Sequence, residues 1–398
     1  RSPVDSYWSP GTKLYNEDIK WETTYTYNIG IDFGFFNNRL NGNIELYQND
    51  VKDLLIDKPI SGIGYTTMTQ NIGSTRNRGV ELSLNGAIVA TKHWNVDLGF
   101  NISYNQNKVV SLGGLDNVLY NSGWTSVGVA NNDYILTVGK SVGLMYGYQL
   151  DGNGIYSVDD FTWDGKKWVA NEGVVDNSSI AGDSWGPGAL KLKDLPDANG
   201  VKDGKITEND RTVIGNAMPD FTGGFNLSVR YRWFDLSAAF SFSIGNDIYN
   251  ANKIEFTSNL RYRNRNMLTD TEGRFTHIDW ATGERITDAD RLKAINAGAK
   301  MWSPTLDYCF HSGAVEDGSF LRLNTLTFGY TVPQNLTKKW YIQRARVFFT
   351  GTNLFCATKY TGYDPEVSTR RKTPLTPGVD YSAYPKSRGF NFGINLTF

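Results

Sequence analysis

The last eleven residues of the chain, 388–398, alternate strictly between apolar and polar side chains. Successive side chains of a β-strand point to opposite faces, so a strand here has one wholly apolar and one wholly polar face. The apolar positions are Phe390, Phe392, Ile394, Leu396 and Phe398. A strand of a soluble sandwich can show the same alternation, but it rarely ends the chain on an aromatic residue. The pattern therefore predicts the closing strand of an outer-membrane β-barrel, with its apolar face towards lipid and its polar face towards the lumen.

The same alternation recurs along the chain and predicts an all-β fold with nine antiparallel membrane-spanning strands. Periplasmic turns of such barrels are short and extracellular loops are long. Short turns are expected near Asn38, His93 and Trp233 and over residues 333–343. Because bacterial single-chain barrels generally have an even number of strands, we expect these nine to be the last part of a larger barrel. The predicted strands cover residues 25–35, 40–56, 80–88, 94–104, 221–231, 234–244, 320–332, 344–355 and 388–398.

The connections at the opposite end are long, and long loops in a regular sheet are usually functional. Long extracellular loops are predicted over residues 111–220, 250–319 and 357–387. A polar loop is expected over residues 58–75, and a short helix over residues 287–300. If the apolar residues 142–155 crossed the membrane as a further strand, the following strands would run in the wrong direction for the short-turn and long-loop pattern. We therefore expect residues 142–155 to form β-structure within an extracellular loop. Phase slips near Thr325 and Thr350 predict β-bulges.

Composition and motifs disfavour several other classes of protein. The mean hydropathy is −0.41 although aromatic residues make up 14%, so apolar residues are dispersed and no run is long enough for a membrane-spanning helix. A net charge of −1 without a basic stripe gives no support to nucleic-acid binding. The three histidines lack metal-ligand spacing and no catalytic motif is found, so an enzyme is not predicted. Cys309 and Cys356 both fall in predicted extracellular segments, where a disulfide and two free thiols are both compatible with the sequence.

Six segments, in order along the chain, carry a resemblance to a known family. They are WETTYTYNIGIDFGF (21–35), NIGSTRNRGVEL (71–82), DRTVIGN (210–216), PDFTGGF (219–225), TNLF (352–355) and YTGYDPE (360–366). Together they resemble the C-terminal part of SusC/RagA-type TonB-dependent outer-membrane transporters of Bacteroidetes. The resemblance implies a 22-stranded barrel closed by an N-terminal plug. Residues 1–398 are then expected to be the C-terminal barrel portion, with the plug domain and the early strands outside them.

The resemblance also implies a function and its partners. The chain would be an integral part of a bacterial outer-membrane importer of oligosaccharides or peptides. It would work with a SusD-type surface lipoprotein as a lid, and with TonB-ExbB-ExbD through the plug. No cofactor for catalysis is expected. The alternative is a soluble or surface-exposed β-rich glycan-binding protein, which requires the apolar strand faces to be buried against another sheet.

A Gly-turned acidic segment resembles a calcium-binding loop of the D-x-N-x-D-G type. The candidate ligands are Asp197, Asn199, Asp203, Lys205 through its carbonyl, Thr207 and Asp210. Hard oxygen ligands that converge on a glycine turn suit Ca²⁺, but Val201 and Lys202 interrupt the spacing. The other interpretation is a surface turn rich in Asp and Asn without a metal.

Tryptophans in the predicted long loops are candidate ligand-binding residues, since their rings could stack on sugars or pack on a lid protein. They are Trp124, Trp163, Trp168, Trp185, Trp280 and Trp302. Aromatic residues also pack loops onto themselves, and we expect that role for most of the six. A second aromatic set lies near the short turns and is typical of the interfacial girdle of a barrel. Its members are Trp94, Tyr231, Trp233, Trp340 and Tyr341.

Overall fold

Nine long antiparallel strands form one sheet, in which neighbours in the chain are neighbours in the sheet. The short strand Lys13–Leu14 joins the same sheet and pairs in parallel with residues 67–68. The computed structural model of the protein describes residues 2–4, 7–9, 11, 13–60, 64–124, 132–261, 263–369 and 374–398. The strands are β1 (Thr23–Phe35), β2 (Leu40–Pro59), β3 (Thr67–Ala90), β4 (Trp94–Leu112), β5 (Phe221–Tyr231), β6 (Phe234–Ile244), β7 (Phe320–Val332), β8 (Arg344–Thr358) and β9 (Gly389–Thr397). This order confirms the nine predicted strands and their meander connectivity.

The apolar side chains of these strands lie on one face of the sheet and remain exposed. In β1, Tyr27, Ile29 and Ile31 are 61%, 71% and 66% exposed, and in β9 Phe392 is 70% exposed. No second sheet covers this face in the described part of the chain. Within the same residues, no strand pairs with the outer edge of β1 or of β9. The sheet is therefore an open arc, as expected for part of a barrel wall.

The β2–β3 hairpin extends further than the sequence predicts. The sequence predicts a loop over residues 58–75, but β2 continues to Pro59 and β3 begins at Thr67. The pairing continues through a bulge at Asp53, whose φ is 59°. Polar side chains obscure this extension in the sequence, because strand pairing outside an apolar belt requires no apolar alternation.

The bulge prediction is confirmed with a small displacement. The β7–β8 register shifts at Asn324, beside the predicted Thr325, and opposite Asn353 and Leu354 rather than at Thr350. Asn353 has a φ of 52°, a backbone conformation that asparagine tolerates better than most residues. At the opposite end of the sheet, the turn after β1 places Asn37 and Asn38 at φ of 56° and 62°, as tight hairpin turns require.

The buried core of the chain lies in the long loops rather than in the sheet, which has one layer. Two apolar clusters fill this loop region, and a third lies between it and the ends of β2 and β4. Tyr134, Tyr156 and Tyr249 are the largest fully buried side chains. Residues 142–155 join small sheets there, as predicted. The short strands are Asn117–Tyr120, Tyr134–Thr137, Leu144–Tyr148, Leu150–Ile155, Phe161–Trp163, Trp168–Ala170, Leu190–Leu192, Arg211–Asn216, Asp247–Asn250, Val315–Asp317 and Val379–Asp380. Further short strands precede β1 at Ser2–Val4, Tyr7–Ser9 and Lys13–Leu14.

The helices are few and short. The one predicted over residues 287–300 forms at Ala289–Ile295, where the Asp288 side chain accepts a hydrogen bond from the Arg291 amide and caps the helix. The other α-helices are Ser178–Ala181, Asn252–Glu255 and Gln334–Thr337. Single 3₁₀ turns are Val158–Asp160, Gly182–Ser184, Glu208–Asp210, Thr269–Gly273, Ser312–Ala314 and Lys338–Trp340. None of the helices in the described ranges is long and apolar enough to cross a membrane.

Candidate functional site

The inner face of the sheet carries a network of polar and charged side chains. Glu45 accepts hydrogen bonds from Asn28 at 3.2 Å and from Asn43 at 2.9 Å, and the Tyr47 hydroxyl donates to Asn105 at 3.0 Å. All of these positions have the parity opposite to the exposed apolar set. Such a face is wettable and offers donors and acceptors to a polar solute.

An ion pair further along the same face joins two strands that are not adjacent. The Asp235 carboxylate on β6 lies 2.5 Å from the Arg346 guanidinium on β8, across β7. The strand between them has room for this because Gly329 of β7 carries no side chain, and an added Cβ there would lie 2.4 Å from the arginine. The glycine therefore makes the contact possible. The alternation of apolar residues in the sequence does not predict this ion pair.

A buried arginine fastens the third long loop to the wall. Arg322 is 3% exposed on the inner face of β7, and its Nη2 lies 2.6 Å from Asp364 of the loop. Its Nη1 donates to Asn353 at 2.5 Å, and Glu366 lies 2.7 Å from Nε. The last contact is ionic, because Nε makes no hydrogen bond with any residue that the structure describes. The sequence alone does not reveal this site, although Arg322 stands at an inward position in the alternation.

A cavity of about 670 Å³ opens in the loop region and is the best candidate there for a ligand contact. Its lining carries both charge signs, with Lys253 and Lys300 against Asp270 and Glu272. The Trp302 ring lies at its edge, perpendicular to His311 at 4.9 Å between ring centres. An aromatic ring beside charges of both signs can contact a polar molecule through stacking and hydrogen bonds.

His311, at the wall of this cavity, is neutral at pH 7. Burial lowers the pKa of its imidazole to about 4, and the positive charge of Lys253 adds to the effect. Its Nδ1 accepts a hydrogen bond from the Gly313 amide at 3.1 Å. A neutral imidazole with an accepting nitrogen supports loop structure here rather than proton transfer.

The six candidate tryptophans do not meet at one site. Trp124 and Trp168 are 3% and 5% exposed and form part of two different apolar clusters. Trp163, Trp185 and Trp302 pack against the same cluster as Trp168. Trp280 alone among the six is largely exposed, at 69%, and stacks on the Arg274 guanidinium. Most of the set packs against the loop clusters, and ligand contact by any of the six stays a prediction.

The acidic segment forms a turn in which backbone amides hold the carboxylates. Asp197 accepts from the amides of Asn199 and Val201, at 2.8 and 3.0 Å. Asp203 accepts from the Lys205 amide at 2.9 Å. Thr207 caps a 3₁₀ turn, and Asp210 in that turn accepts hydrogen bonds from the amide and the hydroxyl of Thr207. Nowhere in the described ranges do three or more His, Cys, Asp or Glu side chains form a group that could hold a metal ion. Calcium binding by this loop stays a prediction.

The two cysteines are free in the structure. Cys309 is buried in the loop region, and burial raises the pKa of its thiol to about 12. Cys356 lies on β8 and is half-buried. A protonated, enclosed thiol is a poor nucleophile, so Cys309 has the character of a packing residue.

Comparisons with known proteins agree with this architecture. The family model for the TonB dependent receptor-like β-barrel matches residues 2–195. TonB-dependent receptor P3 of Formosa agariphila is 31% identical over 97% of this chain and 35% of its own length. TonB-dependent receptor SusC of Bacteroides thetaiotaomicron is 29% identical over 99% of this chain and 34% of its own length. The chain thus spans about a third of the curated relatives it matches.

A solved structure shows the same arrangement of strands. The structure of the RagAB peptide transporter superposes with a TM-score of 0.68 at 26% sequence identity. The match covers 97% of this chain and 36% of that chain. The relatives are receptors and transporters, and their names contain no enzyme activity.

Proposed function

Because this chain belongs to the TonB-dependent receptor β-barrel family and resembles SusC and RagA within it, we propose that it forms part of an importer integral to the bacterial outer membrane. The observation that carries the proposal is the division of the sheet into two chemically different faces. Exposed apolar side chains cover one face, and hydrogen-bonded polar side chains such as Glu45 and Tyr47 cover the other. Such a wall separates lipid from an aqueous path.

The substrate is an oligosaccharide or a peptide. Two observations support this class: one relative is named SusC, and one similar structure is a peptide transporter. The loop cavity beside Trp302 has the mixed charge and aromatic surface that both substrates require. A polar inner face with few apolar side chains suits hydrated, flexible solutes better than an apolar ligand.

A SusD-type surface lipoprotein acts as the lid, and TonB supplies the energy through the plug. The long loops support a lid partner because they are large and folded, with apolar cores of their own. Exposed aromatic side chains remain on them at Trp280, Tyr363 and Tyr384, which are 69%, 80% and 91% exposed. Large exposed aromatic side chains are typical anchors of protein interfaces.

The alternative, a soluble or surface-exposed glycan-binding protein, requires the apolar faces to be buried. They are exposed along most of β1 and β9. A soluble protein rarely leaves a contiguous apolar surface of this extent open to water. The structure therefore disfavours this alternative.

The proposal is tested with the intact outer-membrane protein that carries this chain. Cells that express it are given labelled oligosaccharides and labelled peptides, with TonB present or deleted. We expect accumulation of one class, and only in cells with TonB. Intact-mass analysis of the detergent extract should find a lipoprotein with it. Accumulation that is independent of TonB, or a monodisperse protein without detergent, would contradict the proposal.

A further inference from the structure

On the outward face of the sheet, apolar side chains give way to basic ones near the end that carries the long loops. The change occurs at the same height on three neighbouring strands, β2, β3 and β4. Leu46 on β2, Val80 on β3 and Tyr104 on β4 are paired in register and are exposed. Tyr104 also pairs with Phe221 on β5, and their rings lie 5.3 Å apart. These residues form the upper edge of the apolar belt.

The next two outward rows of the same strands are polar and cationic. Gln48, Arg78 and Gln106 pair across β2, β3 and β4, and Asp50, Arg76 and Lys108 pair in the row beyond. Outward side chains on one strand are about 7 Å apart, so the two rows extend roughly 14 Å past the belt edge. Barrel strands are tilted by about 45°, so this is about 10 Å along the membrane normal and covers the roughly 5–8 Å that each headgroup layer adds to the hydrocarbon core.

A cavity of about 390 Å³ opens beside these rows. It lies where β4 and β5 stop pairing, beyond the Tyr104–Phe221 pair. Its lining includes four cationic side chains and one carboxylate, that of Asp220. The cationic residues are Arg76, Arg78, Lys108 and Lys140.

Among the residues that the structure describes, three of these cations form no ion pair with a carboxylate. Arg76 is neutralised by Asp50 at 2.5 Å. Arg78 donates through Nε to the Gln48 amide oxygen at 2.8 Å, which leaves its charge uncompensated. Lys108 and Lys140 are exposed, and neither forms an ion pair with any residue that the structure describes. Positive charge without a partner, next to an aromatic floor, is complementary to an anion attached to an apolar body.

We propose that this cavity binds the phosphate of a phosphorylated membrane glycolipid in the leaflet at the long-loop end. Arg78, Lys108 and Lys140 contact the phosphate, and Tyr104 and Phe221 contact the apolar part of the lipid below it. The inference rests on the proposed membrane orientation. A soluble anion is the competing source of the same chemistry, but the position on the outward face, directly above the apolar belt, favours a lipid.

The test uses the intact protein in detergent, titrated with bisphosphorylated lipid A and with the same lipid after removal of its phosphates. Bound lipid is counted by native mass spectrometry. The variant is Arg78→Gln, Lys108→Gln, Lys140→Gln. Its affinity for the phosphorylated lipid should fall about 100-fold, from the loss of three headgroup cations. Its affinity for the dephosphorylated lipid should not change.

The matched control replaces three exposed lysines at the short-turn end, as Lys92→Gln, Lys338→Gln, Lys339→Gln. It should bind the phosphorylated lipid as the unmodified protein does. Equal binding of both lipids, unchanged binding in the first variant, or displacement of the lipid by inorganic phosphate at the same concentration would overturn the proposal.

TonB-dependent uptake, measured in parallel, separates this inference from the proposed function. We expect uptake to persist in both variants, since Arg78 and Lys108 are at outward strand positions and the other four lysines lie in connections rather than on the inner face of the strands. Absence of uptake in the unmodified protein, together with phosphate-dependent lipid binding, would contradict import and support the lipid site.

Discussion

At the residue scale, side chains with similar sequence surroundings differ in how deeply they are buried. Trp168 and Trp280 both lie in long loops rich in polar residues, but one is enclosed by an apolar cluster and the other is exposed. Alternation cannot distinguish them, because loop residues have no fixed periodicity. Only the contacts made by distant segments decide which ring is covered.

These two tryptophans are predicted to differ in stability. Trp168→Ala should lower the free energy of unfolding of the loop region by about 3–5 kcal/mol, because it leaves a cavity in a packed cluster. Trp280→Ala should change it by less than about 0.5 kcal/mol. Hydrogen exchange of the intact protein would measure both values. Equal effects of the two substitutions would contradict the assignment of Trp168 to the core.

His311 is predicted to make the loop region sensitive to acid. Its pKa in the folded state is about 4, below the ordinary 6.5, because burial disfavours the charged form. The unfolded state binds the proton first, so stability is full above about pH 6.5 and falls as the pH drops towards 4, by roughly 3 kcal/mol. His311→Gln should flatten the thermal stability profile between these values. His93→Gln, at an exposed turn, is the control and should leave the profile unchanged.

Arg322 is predicted to be a large contributor to the attachment of the third long loop. Arg322→Met leaves the Asp364 carboxylate buried without its cation, which should cost about 3–5 kcal/mol. Lys386→Met removes a cation from Glu366, but that lysine is exposed, so the change should be below about 1 kcal/mol. Limited proteolysis of residues 357–387 would compare the two variants. Faster cleavage in the Lys386 variant would contradict the prediction.

At the scale of elements, strand parity controls which residues meet lipid. In β3, Leu82 faces outward and the neighbouring Ser83 faces inward, and their partners Ile44 and Asn43 on β2 follow the same parity. Bulges near Asn324 and Asp53 shift the parity locally. A bulge adds a residue to one strand, and the residues beyond it then face the opposite way along the sequence count. In this way the apolar side chains stay on the outward face although the alternation in the sequence is interrupted.

A charge at these two neighbouring positions is predicted to have opposite consequences. Leu82→Arg should destabilise the barrel by roughly 2–4 kcal/mol, because the guanidinium enters the middle of the apolar belt. Ser83→Arg places the same side chain on the polar face and should be tolerated. The assembled fraction of the intact protein, measured by its heat-dependent gel mobility, would report both. Equal loss of assembly would contradict the assignment of the faces.

At the scale of the whole molecule, the two open edges of the sheet are its most consequential feature. β1 and β9 expose unpaired backbone groups together with apolar side chains such as Ile29 and Phe392. Exposed strand edges of this kind associate with other chains. Further strands are needed to close the barrel.

Residues 1–398 expressed alone are therefore predicted to aggregate when detergent is removed. In detergent they should elute as mixed oligomers, since β1 and β9 pair between copies. The intact outer-membrane protein should elute as one species under the same conditions. Size-exclusion chromatography with light scattering would compare them, and a monodisperse monomer of residues 1–398 in detergent would contradict the prediction.

The amino-acid sequence by itself determined the nine strands, their turns and the face that each presents, because alternation with a period of two is local information. It also predicted the helix near Ala289 and the bulge beside Thr325. Only the tertiary structure decided what the loops contain, since Trp168, His311 and the Arg322–Asp364 pair depend on segments far apart in the chain. The basic rows beyond Tyr104 could not be predicted for the same reason. They form only when Arg76, Arg78 and Lys108 are aligned by the register between strands, and the sequence of one strand does not contain that register.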